Sequence, residues 1–170
     1  MKEELFEKII KDISETYPNF SGYYSFQNGN EPTSDPLFIE RIKTIYKYLP
    51  NIKLNFPTNA QLLTPEKGRE LIDLFYENGP GQLENTEMRI LIHFSGISKK
   101  SWQKLMRSKQ KYEETVENIR SLLEYNNQKG AQLEKEGKDR LAYVHQGVNG
   151  EQTSHFNKME APHAIHIGIG

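Results

Sequence analysis

Apolar positions at the start of the chain recur at helical spacing: Leu5, Phe6, Ile9, Ile10, Ile13 and Tyr17, with Lys and Glu between them. The spacing predicts an amphipathic helix over 2–17, stopped by Pro18-Asn19. An aromatic, β-prone run containing Tyr23, Tyr24 and Phe26 follows and predicts a strand at about 21–27. Asn28-Gly29-Asn30-Glu31-Pro32 interrupts it. Asp35 then reads as an N-cap with Pro36 at the first helical position. Phe38, Ile42, Ile45, Tyr46 and Leu49 supply that helix with an apolar stripe, which ends at Pro50.

The alternation changes period at Asn51–Phe56, where Ile52, Leu54 and Phe56 share one side of a predicted strand. Thr64 and Pro65 open a third helix that carries Leu71, Ile72, Leu74 and Phe75, and Asn78-Gly79-Pro80-Gly81 breaks it. The run MRILIHF at 88–94 is apolar enough to predict a strand buried on both faces. A short helix with Trp102, Leu105 and Met106 and a longer one at about 110–127 come next. The charged, glycine-punctuated stretch 128–139 reads as a connector, and Leu141–His145 as a fourth strand. HAIHIGIG at the end has the character of an extended edge. Strands alternating with helices predict an α/β fold built on parallel strands: a partial (β/α) barrel or an open parallel sheet of about four strands with helical crossovers. Residues 1–127 form the expected α/β unit, and 128–170 a connector, a possible further strand and an irregular tail.

Composition narrows the function. The 22 basic and 23 acidic residues balance, so no global field points to nucleic acid or to an acidic membrane surface. The mean hydropathy of −0.77 and the lack of a long apolar run lead to the expectation of a cytoplasmic protein with no membrane partner. The chain has no cysteine, which excludes a disulfide, a thiolate nucleophile or a thiolate-held metal supplied by these residues.

Three successive strands end in small polar turns, at Asn28–Glu31, Thr58–Asn59 and Ser95–Gly96. Parallel strands would bring these turns to one rim, at the end of the sheet where α/β proteins bind ligands. A carboxylate, an amide and two hydroxyls would converge there, a set suited to a small polar ligand. Two other features read as structure. Ser98 to Tyr112 carries Lys99, Lys100, Lys104, Arg107, Lys109 and Lys111 around Trp102, which suits a solvated helix face with an inward tryptophan better than a nucleic-acid surface. His145, His155, His163 and His166 crowd the last residues without a metal-ligand spacing, so no metal site is assigned, and His93 reads as a packed core histidine.

The stretch NGNEPTSDPLFIERIKTIYKYLPNIKLNFPTNAQLLTPEKGRELID resembles the second and third strands of the radical S-adenosylmethionine enzymes. Those carry a Gly-Gly-Glu-Pro turn and then a strand ending in Thr-Asn-Gly before a Leu-Leu-Thr segment. ILIHFSGISKKSWQKLMRSKQKYEETVENIRSLLE is similar to their fourth strand and the helices after it. The resemblance covers about residues 1–127. It implies that Gly29, Asn30, Glu31 and Pro32 form the turn that receives the amino group of S-adenosylmethionine. Thr58 and Asn59 would border the same pocket, and Ser95 would contact the ribose or carboxylate.

The chain departs from that pattern at Asn30 and Ala60, which stand where the family has glycine. The strand and CxxxCxxC loop that would precede residue 1 are missing, so a [4Fe–4S] cluster is expected only if an upstream cysteine segment exists. The resemblance thus implies a fragment or degenerate form of a radical SAM core, inactive alone in reductive cleavage, with open sheet edges available to a protein partner or to self-association. The alternative is a non-catalytic binding module, acting through the basic helix or through those edges.

Overall fold

The computed structural model of the chain describes residues 1–26, 31–78, 87–94, 99–106, 112–136, 142–146 and 164–169. Along the chain run α1 (Glu3–Thr16), β1 (Tyr23–Ser25), a 3₁₀ turn (Pro32–Ser34), α2 (Phe38–Tyr48), β2 (Lys53–Thr58) and α3 (Pro65–Asn78). β3 (Glu87–Ile92), α4 (Lys99–Met106), α5 (Tyr112–Lys135), β4 (Ala142–Gln146) and β5 (Ala164–Ile169) complete it. The molecule is a mixed α/β structure on an open sheet, in the order β1-β2-β3-β5-β4, with every neighbouring pair parallel. β1 and β4 are its two edges.

One face of the sheet carries the core. Leu54 and Phe56 of β2 and Met88, Ile90 and Ile92 of β3 are buried. They join a single cluster with Phe6 and Ile10 of α1, Ile42 and Ile45 of α2, Leu71 and Phe75 of α3, and Ile119 and Leu122 of α5. Each such side chain stabilises the fold by roughly 1.5–3 kcal/mol. Tyr24, Phe26, Phe38 and Phe56 pack edge to face, with ring centroids 5.0 to 6.2 Å apart, and anchor the end of β1. The other face is different. Lys53, Asn55, Pro57, Arg89 and Leu91 are only half-buried, Tyr23 and Ser25 are exposed, and none belongs to the core cluster.

Four sequence expectations are revised. α2 begins at Phe38, not Pro36, because Asp35 closes the 3₁₀ turn first: its Oδ1 accepts from Leu37 N at 3.0 Å and its Oδ2 pairs with Arg41. β3 alternates between buried and half-buried residues instead of being covered on both faces, since the described helices bury their stripes against one side. α5 continues through 128–135, read as a connector, because Gln, Lys, Ala, Leu and Glu are good helix formers. Docking on α3 outweighs the ~1 kcal/mol that a helical glycine such as Gly130 costs. Finally, Ala164–Ile169 is not an edge: it lies between β3 and β4, giving a five-stranded sheet.

α3 and α5 sit close because Gly68 faces Leu122: a Cβ on Gly68 would lie 3.2 Å from Leu122 Cδ1. Asp73 fastens the pair, accepting from Tyr125 Oη at 2.9 Å and Lys129 Nζ at 2.7 Å. Among the described residues no helix is long and apolar enough to cross a membrane.

Candidate functional site

β1 and β2 run parallel, so their carboxyl ends lie side by side. Glu31, in the turn after β1, reaches across that gap. Its Oε1 accepts from Thr33 N at 3.2 Å, from Thr33 Oγ1 at 2.6 Å and from Thr58 Oγ1 at 2.5 Å. Its Oε2 accepts from Asn59 N at 2.8 Å. Thr33 and Thr58 are buried, so each hydroxyl needs the partner that this carboxylate provides. Pro32 fixes the backbone for the 3₁₀ turn, whose Glu31 cap is this same side chain.

The turn after β2 is equally constrained. Thr58 Oγ1 also accepts from Ala60 N at 3.0 Å, and Asn59 Oδ1 accepts from Gln61 N at 3.0 Å. Ala60 takes a left-handed conformation, φ 58°, one that glycine adopts freely and alanine only with strain. From α5, Asn118 Nδ2 donates to Ala60 O at 3.0 Å and Gln61 O at 3.2 Å, holding the strained residue in place. His93 N donates to Thr58 O at 2.8 Å, which joins the end of β3 to the same turn. Lys67 Nζ donates to Thr33 O at 2.9 Å from α3.

Of the residues singled out in the sequence, Glu31, Pro32, Thr58 and Asn59 thus meet in one network. Gly29, Asn30 and Ser95 lie outside the described residues. Thr33, Lys67 and Asn118 complete the network and carried no motif signal. Only the hydroxyl two residues after Glu31 hinted at a local cap. Glu31 Oε1 is saturated, whereas Oε2 has one donor among the described residues and, with respect to them, keeps acceptor capacity. A carboxylate oriented by four donors, with one oxygen still able to accept, is suited to binding a cation or an ammonium.

Other expectations resolve more simply. His93 is exposed, immediately beyond β3, rather than packed in the core: the strand ends two residues earlier than the apolar run suggests. Trp102 is fully buried, as expected, against Phe94 and Tyr112. Lys99 is engaged by Glu113, while Lys100 and Lys104 are exposed; Arg107, Lys109 and Lys111 lie outside the described residues. His155 and His163 also lie outside them, and among the described residues no group of three or more potential metal ligands forms. No family model, curated protein or solved structure matches the chain.

Proposed function

We propose that the carboxyl ends of β1 and β2 form a binding rim for S-adenosylmethionine, in a degenerate or partial radical SAM core. The observation that supports this reading is the Glu31 carboxylate, held by Thr33, Thr58 and Asn59, with Oε2 retaining room for one more donor. The methionine ammonium of the ligand fits that oxygen. The polar side of β1 to β3 beneath it is the counterpart of a barrel interior, and β1-β2-β3 in sequential parallel order is what a barrel segment requires. Insertion of β5 between β3 and β4 departs from that sequential order.

An iron–sulfur cluster, which supplies the electron for reductive cleavage in the resembling enzymes, does not fit these residues. The chain has no thiolate to hold it. The proposed role of these 170 residues is therefore binding, with Glu31 orienting the ammonium and the turn at Thr58–Asn59 bordering it.

Isothermal calorimetry tests the reading. Wild-type protein is expected to bind S-adenosylmethionine saturably, and Glu31→Gln to weaken binding about tenfold, the loss of one charge-assisted contact worth ~1.4 kcal/mol. 5′-Methylthioadenosine, which lacks the amino-acid moiety, is expected to bind both proteins equally. Absence of saturable binding by the folded wild-type chain would overturn the proposal.

A further inference from the structure

The spacing that makes α1 a helix also gives it more apolar surface than the core uses. Phe6 and Ile10 are buried in the core cluster. Beside them a second row recurs at every fourth position: Met1, Leu5, Ile9, Ile13 and Tyr17. Side chains four apart stack on one helix face. Leu5, Ile9 and Ile13 belong to the helix, and Met1 and Tyr17 extend the row just past its two ends. Ile13 is partly buried against the core, but Met1 is 70% exposed, Leu5 51%, Ile9 40% and Tyr17 61%. Exposed apolar side chains scattered singly are ordinary, whereas a continuous row of them marks an interaction surface.

The charges beside the row narrow what can sit on it. Lys8 and Asp12 are exposed and joined by an ion pair at 2.5 Å. At about 3.6 residues per turn, both fall on the same side of Ile9. The row is symmetric about Ile9: Leu5 and Ile13 lie four residues to either side of it, and Met1 and Tyr17 eight.

We propose that α1 is the contact surface of a symmetric dimer, crossed antiparallel by the same helix of a second copy with Ile9 on the two-fold axis. That operation lays the row on itself. Ile9 meets Ile9 of the second copy, Leu5 meets its Ile13, and Met1 meets its Tyr17. Lys8 then comes within a turn of the second copy's Asp12, and Asp12 of its Lys8, so two ion pairs close into a ring of four alternating charges. A parallel copy would instead set Lys8 against Lys8 and Asp12 against Asp12, which is repulsive. Self-matching of this kind is what a two-fold interface requires, and rows at four-residue spacing are the ridges by which helices most often pack. One helix per subunit is a small contact, so the expected dissociation constant is micromolar or weaker. The surface is separate from the sheet edges and from the Glu31 rim, and the inference holds whether or not the chain binds S-adenosylmethionine.

Sedimentation equilibrium of the full chain, from about 10 μM to about 1 mM, tests it. A monomer–dimer equilibrium is expected. Ile9→Glu is expected to raise the dissociation constant at least tenfold with the fold retained by circular dichroism, since Ile9 is already exposed. Lys8→Asp is expected to weaken association, and the exchange Lys8→Asp with Asp12→Lys to restore it. The chain has no cysteine, so Ile9→Cys carries a single thiol. On oxidation it is expected to form a disulfide-linked dimer faster than Glu70→Cys on α3, because thiols on the two-fold axis come within bonding reach. A chain that stays monomeric throughout would overturn the dimer and leave the row to a different protein. Undiminished association of folded Ile9→Glu, or equal cross-linking of the two cysteine variants, would overturn the placement on α1.

Discussion

At the scale of single residues, Ala60 is the sharpest test of how the turn after β2 is built. A left-handed φ of 58° costs an L-residue roughly 1–2 kcal/mol, and the residue is also fully buried. Ala60→Gly relieves that strain but gives up a buried methyl worth ~0.8 kcal/mol and adds backbone entropy to the unfolded chain. The two sides nearly cancel, so urea unfolding of Ala60→Gly is expected within about 1 kcal/mol of wild type. Ala60→Val adds a β-branch at positive φ in a closed space, and its cost is expected at about 2–4 kcal/mol. Equal stability of the valine variant would show that the turn is not held left-handed. Glu31 was legible in the sequence because it follows a strand and precedes a proline; its direct partner Thr33 was not, because a threonine in a polar turn carries no periodicity.

At the scale of elements, the α3–α5 contact carries a pH signature. Lys129 is held above its ordinary 10.5 by the hydrogen bond to Asp73, with burial opposing. The hydroxyl of Tyr125 is pushed up by burial and then by Asp73. Both groups have folded values above their unfolded ones. Their contribution is therefore fully present at neutral pH and disappears as pH rises through the folded values, above about 10. Asp73→Asn is expected to cost roughly 1 kcal/mol at pH 7, a modest figure because the pair is partly solvated. The difference in urea midpoint between wild type and variant should narrow as pH rises above 10.5, and a gap that does not narrow there would exclude this fastening. The same contact explains the helix that the sequence concealed. Its C-terminal half reads as polar and glycine-broken; its residues are good helix formers, and the partner on α3, invisible to local pattern, carries the helix past Gly130. β2 and α3, by contrast, were legible to within two residues, because strict alternation and a Thr64-Pro65 start are local signals.

For the whole molecule, strands β1 to β3 have one side packed in the core and one side that is half-buried to exposed and largely polar. Local periodicity gave the strands, but not the insertion of β5 between β3 and β4, since strand order is set by long-range pairing. The asymmetry of these strands gives the account its shape: helices and core behind, and loops tied by Glu31 at the carboxyl rim. A crystal structure of the chain grown with S-adenosylmethionine tests the central claim most directly. The account predicts the methionine ammonium about 3 Å from Glu31 Oε2, with the Thr58 and Asn59 hydrogen bonds to Glu31 unbroken. Ligand bound away from the β1–β2 rim, or a Glu31 carboxylate turned off Thr58 and Asn59, would contradict it.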